Sequence, residues 1–204
     1  MARLFSIKPS ITMKGRKFKG IRGWAGKPMH PPLTDVPIAA YILAAAFDLV
    51  SFIVWKMKGA DSTIASDAFI AATWVIIAGA VASLGAVLTG FWDWWKGLDR
   101  DRTKGPIGKA GRTQVWRTAN WHMTVMLTVT VIVIIDIVVR LGQYDRHHAT
   151  LTTTVLSVLA GLLVAYGATY GGSLVFDYQF NVEGLKGSTA WNESEEDQLP
   201  GKKG

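Results

Sequence analysis

Six side chains of types that bind ligands or protons stand out from a chain that is 50% apolar. They form two groups, His30, Asp93 and His122, and Asp48, Asp136 and Arg140. Imidazole nitrogens bind haem iron, other transition metals or quinones, and a nearby carboxylate can orient an imidazole through its far nitrogen. Charged groups inside a membrane are costly, so each needs a partner or a function. The first group therefore indicates a cofactor-binding site, and the second indicates an intramembrane polar cluster.

The histidine group has two interpretations. In the first, His30 and His122 hold a b-type haem or a quinone, with Asp93 and Asp35 expected at the same membrane face. In the second, His30 caps or hydrogen-bonds its own turn and His122 hydrogen-bonds Asp93. Polar side chains at a helix interface often serve packing alone, which favours the second interpretation.

The second group contains a pair that is local in sequence. Asp136 precedes Arg140 by four residues, the order that favours an ion pair on one helix face. Asp48 has no such neighbour in its own helix, so it is either protonated or paired across the bundle, with Arg140 or with a threonine. A rise of ~1.5 Å per residue puts Asp48 and Asp136 at similar depth, in the outer half of the membrane.

Four apolar stretches must position these side chains: residues 37–55, 69–95, 120–141 and 151–176. Each is close to or above the ~20 residues that cross a ~30 Å hydrocarbon core as a helix. The predicted fold is therefore all-α, an integral membrane four-helix bundle over residues 37–178.

Local signals refine the first two helices. Pro37 stands near the predicted start of the first helix, with Thr34 or Asp35 as its cap and His30 outside it. In the second helix, small residues recur every four positions, which favours close packing of helix backbones in lipid. These residues are Ala78, Ala82, Ala86 and Gly90.

Basic residues are distributed unevenly between the loops. Residues 1–36, the loop of residues 96–117 and the segment after residue 176 carry eighteen of the 22 Lys and Arg, and the other two loops carry four. By the positive-inside rule both termini are predicted to be cytoplasmic, in a multi-pass protein of the cell inner membrane. Residues 1–36 then form a basic cytoplasmic arm, and residues 179–204 an acidic cytoplasmic tail. The charge follows the membrane, so a nucleic-acid partner is not expected.

The absence of cysteine narrows the chemistry. It excludes disulfides, cysteine-ligated iron–sulfur clusters and covalent c-type haem. The sequence holds no nucleophile–base pair, phosphate-binding loop or zinc motif, so no enzyme activity is predicted. His147 and His148 are expected to be exposed in an outer loop.

The candidate residues also carry a resemblance to a family of uncharacterised bacterial membrane proteins, domain of unknown function 2231. It spans about residues 28 to 180 and rests on His30-Pro31, Val36-Pro37-Ile38-Ala39, Asp48, Gly90, Asp93, His122 and Gly171-Gly172. Members often carry a second histidine where this chain has Asp35, and this departure weakens a metal site built on that motif. The resemblance implies four spans and a membrane location but no agreed activity. Some relatives look fused to, or associated with, Rieske-type proteins, which implies a redox setting.

Three functions are compatible with these observations. The leading prediction is a non-enzymatic accessory or binding subunit in an electron-transfer complex or another membrane complex, with the lipid bilayer and other proteins as partners. The first alternative is a b-type haem or quinone carrier that uses His30 and His122. The second is a small proton-coupled transporter that uses Asp48 and Asp136.

Overall fold

Four long helices make up the protein. The computed structural model describes residues 18, 20–23, 26–59, 61–102 and 113–182, with the backbone alone for residues 98–102. The helices are α1 (His30–Lys58), α2 (Thr63–Arg102), α3 (Gln114–Leu141) and α4 (Leu151–Phe176), with a short 3₁₀ turn, Tyr144–Arg146, before α4. All four are long and apolar enough to cross a membrane. The predicted all-α, four-span membrane fold is confirmed.

The helices form a bundle whose small core is enclosed by lipid-facing side chains. α1 packs against α2 and α4, α3 packs mainly against α4, and α2 touches α3 less extensively. The core consists of Ala40, Tyr41, Ala44, Ile76, Val129, Val133, Ala160 and Val164. Large apolar side chains such as Leu88, Val138 and Leu162 are instead exposed on the outside of the bundle. Exposed apolar surface on every helix is what a bundle surrounded by hydrocarbon requires.

α1 begins earlier than the sequence predicted. It starts at His30 rather than near Pro37, and Met29 at its N-cap makes no side-chain capping bond. Pro31 and Pro32 occupy the first turn, where their missing N–H groups need no partner. Pro37 lies inside the helix, and Thr34 donates to the Pro31 carbonyl at 2.6 Å instead of capping. The correction makes His30 a helical residue with a defined orientation.

Side-chain caps fix the starts of α3 and α4. The Thr113 hydroxyl accepts a hydrogen bond from the Trp116 amide at 3.1 Å. At α4, Thr150 and Thr153 form a reciprocal capping box.

Close approach of the helices depends on glycine more than on the predicted alanine stripe. Ala78 is exposed and Ala86 is buried, so only part of that stripe faces the bundle. A Cβ at Gly79 would lie 2.6 Å from the Ala40 Cβ, and one at Gly161 would lie 3.3 Å from the Ala45 Cβ. α1 therefore packs on the bare backbone of both α2 and α4.

The bundle consists of two similar hairpins, α1–α2 and α3–α4. Eighteen residues, five helical turns, separate His30 from Asp48 in α1 and His122 from Arg140 in α3. Buried positions correspond along these helices, with Tyr41 of α1 matching Val133 of α3. Asp48 contacts Arg140, and His30 is close enough to His122 to interact electrostatically, so the two helices lie alongside each other in the same direction.

α2 and α4 correspond in the same way. Ala86 and Gly90 of α2 match Gly167 and Gly171 of α4, each pair being four residues apart. The buried pair Ala72 and Thr73 likewise matches Thr153 and Thr154. The two hairpins thus share the spacing of these positions, a correspondence that is called the repeat below and that the sequence analysis had not detected.

The described segments before α1 and after α4 both pack on the end of α2. The Phe18 backbone pairs with that of Val182 in an isolated bridge, and the Phe180 ring lies against Gly97. The Asn181 side chain donates to the Asp93 carbonyl at 2.9 Å. Most of the predicted basic arm and acidic tail lies outside the described residues, and so do residues 103–112 of the central loop.

Candidate functional site

The two candidate histidines lie at the same end of the bundle, called the histidine end below. The His122 ring of α3 reaches α4, where Nδ1 is 2.9 Å from the Gly167 carbonyl oxygen. A carbonyl oxygen only accepts, so Nδ1 carries the proton and donates it. The predicted hydrogen bond between His122 and Asp93 is therefore replaced by one to the backbone of α4.

His30 is set in an equivalent way against α2. Its Nδ1 lies 3.3 Å from the Thr89 hydroxyl oxygen, and that hydroxyl donates to the Gly85 carbonyl at 2.8 Å. The Thr89 oxygen is left to accept, so Nδ1 of His30 is the donor. The backbone of Ala86, the position that corresponds to Gly167 in the second hairpin, is close enough to the ring to interact with it electrostatically.

Glycine provides the surface on which each ring lies. A Cβ at Gly90 would be 2.5 Å from Cε1 of His30, and a Cβ at Gly171 would be 3.1 Å from Cε1 of His122. Gly172, the neighbour of Gly171, has open space at the same position. Any side chain at Gly90 would displace the imidazole, and one at Gly171 would press on it.

The geometry leaves the other nitrogen of each ring available. In the described part of the chain, no group hydrogen-bonds to Nε2 of His30 or of His122. With Nδ1 protonated, each Nε2 is an unprotonated lone pair that can bind a metal or accept a proton. The two rings are also close enough to interact electrostatically. The described part of the chain contains no group of three or more His, Cys, Asp or Glu side chains that could hold a metal ion.

Asp93 and Asp35 do not orient the imidazoles. The buried Asp93 accepts a hydrogen bond from the Ile21 amide at 2.9 Å through Oδ1. Its main chain accepts from Asn181, so Asp93 joins the N-terminal segment, α2 and the C-terminal segment. Asp35 is exposed on α1. The predicted approach of these carboxylates to the histidines is therefore not found, and the Gly167 carbonyl and the Thr89 hydroxyl occupy that role.

The second group forms a buried cluster in the other half of the bundle. Arg140 binds Asp48 through two parallel bonds, Nη1 to Oδ1 at 3.0 Å and Nη2 to Oδ2 at 2.5 Å. Nη2 also donates to both oxygens of Asp136, at 3.2 and 3.0 Å. All three side chains have no exposed surface. The predicted pair of Asp136 with Arg140 is present, and Arg140 is also the partner of Asp48, as one of the predictions had it.

Groups from α2 complete the surroundings of the guanidinium. Nη1 lies 3.4 Å from the Thr73 hydroxyl, and the Arg140 guanidinium carbon lies 5.5 Å from the centre of the Phe69 ring. Nε of Arg140 is buried without a hydrogen-bond partner. The guanidinium is thus turned toward Asp48, and one of its donors is unused.

His147 and His148, in the loop between α3 and α4, are separate from both groups. His147 is exposed, in a left-handed backbone conformation with φ of 54°. The His148 ring is only partly exposed, because it stacks on Trp55 at 4.2 Å between ring centres.

The fold and the two sites define a multi-pass membrane protein with polar groups inside its bundle. It has four apolar helices, two matched histidines at one end and a buried charge cluster in the other half. The chain belongs to the family of predicted membrane proteins called domain of unknown function 2231, whose family pattern matches residues 26–184. No curated protein and no solved structure matches the chain.

Proposed function

We propose that the protein is a membrane-embedded subunit of an electron-transfer assembly and binds a b-type haem through His30 and His122. The observation that carries the proposal is the matched setting of the two imidazoles. Each hairpin contributes one ring, whose Nδ1 donates a hydrogen bond to a neighbouring helix and whose Nε2 has no partner among the described residues. Imidazole nitrogens are common protein ligands of haem iron, so the two Nε2 atoms could hold a haem between them.

The protein groups around the rings have definite tasks in this proposal. The Gly167 carbonyl and the Thr89 hydroxyl hold Nδ1, fix the tautomer and increase the basicity of Nε2. Gly90 and Gly171 let each ring lie directly on a helix backbone, which limits its rotation. Bound haem would supply one-electron redox chemistry, and the surrounding bundle would set its exposure to water.

Charge supports the partner and orientation parts of the proposal. Eighteen basic residues belong to the segments of the sequence that precede the first helix, connect the second and third helices or follow the fourth. Such basic segments favour the cytoplasmic side of the inner membrane and attract an acidic soluble or membrane partner. Electron transfer needs a donor and an acceptor, which is why we propose a subunit of an assembly.

Visible spectroscopy of the purified protein tests haem binding. We expect a Soret band that corresponds to about one haem per chain, and its loss in His30→Ala and in His122→Ala. The control is His147→Asn, because His147 is exposed and asparagine tolerates its left-handed backbone. A protein expressed with sufficient haem that shows no Soret band, or one unchanged in both alanine variants, would refute the haem proposal. A quinone bound in place of haem would refute it equally.

Assembly is tested separately. Gentle detergent extraction from native membranes should give a complex larger than the chain in its micelle, with redox proteins among its components. If the extracted protein is always a free monomer, the subunit proposal fails while the haem proposal stands.

A further inference from the structure

The buried charge cluster has an unequal count of charges. Asp48, Asp136 and Arg140 would together carry one negative charge if all three were ionised, and none has any exposed surface. A net charge closed off inside a membrane bundle is strongly unfavourable, because no water solvates it. Something must therefore neutralise one carboxylate.

The hydrogen bonds from Arg140 show which carboxylate has the weaker balance of its negative charge. Asp48 receives two separate guanidinium nitrogens in the bidentate arrangement typical of a strong ion pair. Asp136 receives only Nη2, the nitrogen already bound to Asp48, and at longer distances. Nε of Arg140 is buried and unpartnered, so the guanidinium is not turned to serve both acids.

No other cation is packed against the cluster in the part of the chain that the structure describes. α2 contributes the Thr73 hydroxyl and the Phe69 ring, and the Tyr144 ring lies beyond Phe69 at 6.2 Å between centres. On α4 the buried polar side chains of this half are the hydroxyls of Thr153, Thr154 and Ser157. These neighbours are neutral and cannot balance Asp136.

We propose that Asp136 is a proton-binding site and that the cluster holds one bound proton at neutral pH. Asp48 and Arg140 remain the ionised pair, and protonated Asp136 brings the cluster to zero net charge. The proton is the simplest ligand for a space in which each acid oxygen is already within 3.2 Å of a guanidinium nitrogen. Neither haem nor a partner protein is needed for this site.

Infrared difference spectroscopy counts protonated carboxyl groups through their C=O stretching band. At pH 7 the wild type should show one buried protonated carboxyl per chain, and Asp136→Asn should show none. Asp48→Asn should also show none, because Arg140 is then free to neutralise Asp136. Arg140→Gln should show two if it folds. Asp145→Asn is the control, since Asp145 is an exposed acid of the outer loop and should leave the band unchanged.

Thermal unfolding in detergent gives a second measurement. The folded wild type holds a proton that the unfolded chain releases at neutral pH, so its stability should fall as the pH rises. Asp136→Asn should weaken that dependence. A wild-type spectrum with no carboxyl band above that of Asp136→Asn, or a band that persists in this variant, would overturn the proposal.

Discussion

At the scale of single residues, glycine decides how the histidines are presented. Sequence analysis identified His30 and His122 as the candidate ligands, but it assigned their orientation to carboxylates. The structure assigns that task to the Thr89 hydroxyl of α2 and to the Gly167 carbonyl of α4. Backbone groups are present in every sequence, so residue types alone gave no signal for them. Gly90 and Gly171 were noted only for family resemblance and helix packing.

A methyl group added beneath a ring should reveal this role. Gly90→Ala puts a Cβ 2.5 Å from Cε1 of His30, so the ring must move, at a cost of about 1–3 kcal/mol. We expect haem binding to weaken by about tenfold or more, since 1.4 kcal/mol corresponds to a factor of ten. Gly171→Ala should have a smaller effect, because its Cβ would be 3.1 Å from His122. Haem titration of the three purified proteins measures the difference.

The matched control is Gly172→Ala. Nothing lies within 4 Å of its Cβ position, so haem affinity should be unchanged. If Gly90→Ala and Gly172→Ala bind haem equally well, the role given to Gly90 is wrong.

At the scale of elements, hydrophobicity predicted the number and location of the membrane spans but not the residues at which the helices begin and end. All four spans were located, because each has enough apolar residues to cross the bilayer. α1 nevertheless begins seven residues before Pro37, since Pro31 and Pro32 are tolerated in a first turn. The repeat could have been found from the equal spacing of His30 to Asp48 and His122 to Arg140. It was missed because the matching residues differ in type, aspartate against arginine.

The repeat predicts the result of exchanging two charges. Asp48→Arg alone places two guanidiniums together in the bundle and should destabilise it by about 3–5 kcal/mol, the cost of breaking a buried pair. Adding Arg140→Asp restores opposite charges at equivalent positions and should recover a large part of the loss. Thermal unfolding in detergent, followed by helical circular dichroism, measures each step. A double variant no more stable than Asp48→Arg would show that the two positions are not interchangeable.

At the scale of the whole molecule, the segments that flank the bundle and the distribution of charge bear on the orientation of the protein in the membrane. The Asp93 carboxylate holds the N-terminal segment, and its carbonyl holds Asn181 of the C-terminal segment, at the end of α2. The described segments before α1 and after α4 therefore lie at the same end of the bundle. The distribution of basic residues predicts that this end faces the cytoplasm.

A chain without cysteine allows a clean test of orientation. Lys27→Cys lies in an exposed position before α1, and His147→Cys lies in the exposed loop at the opposite end. In intact cells a membrane-impermeant thiol reagent should label the second variant, and it should label the first only after the membrane is opened. The wild type is the control for background. The reverse labelling pattern would invert the proposed topology and place the histidine end outside.

The opposite charges at matching sites determine which hairpins can associate. Two copies of the first hairpin would bring aspartate to face aspartate across their axis, and two copies of the second would bring arginine to face arginine. Only the mixed pairing gives Asp48 a basic partner from the other hairpin, as Arg140 does here, whereas Arg140 also has Asp136 within its own helix. A chain with two near-equivalent halves is thereby biased toward closing on itself, and its halves are discouraged from exchanging with those of a neighbouring copy.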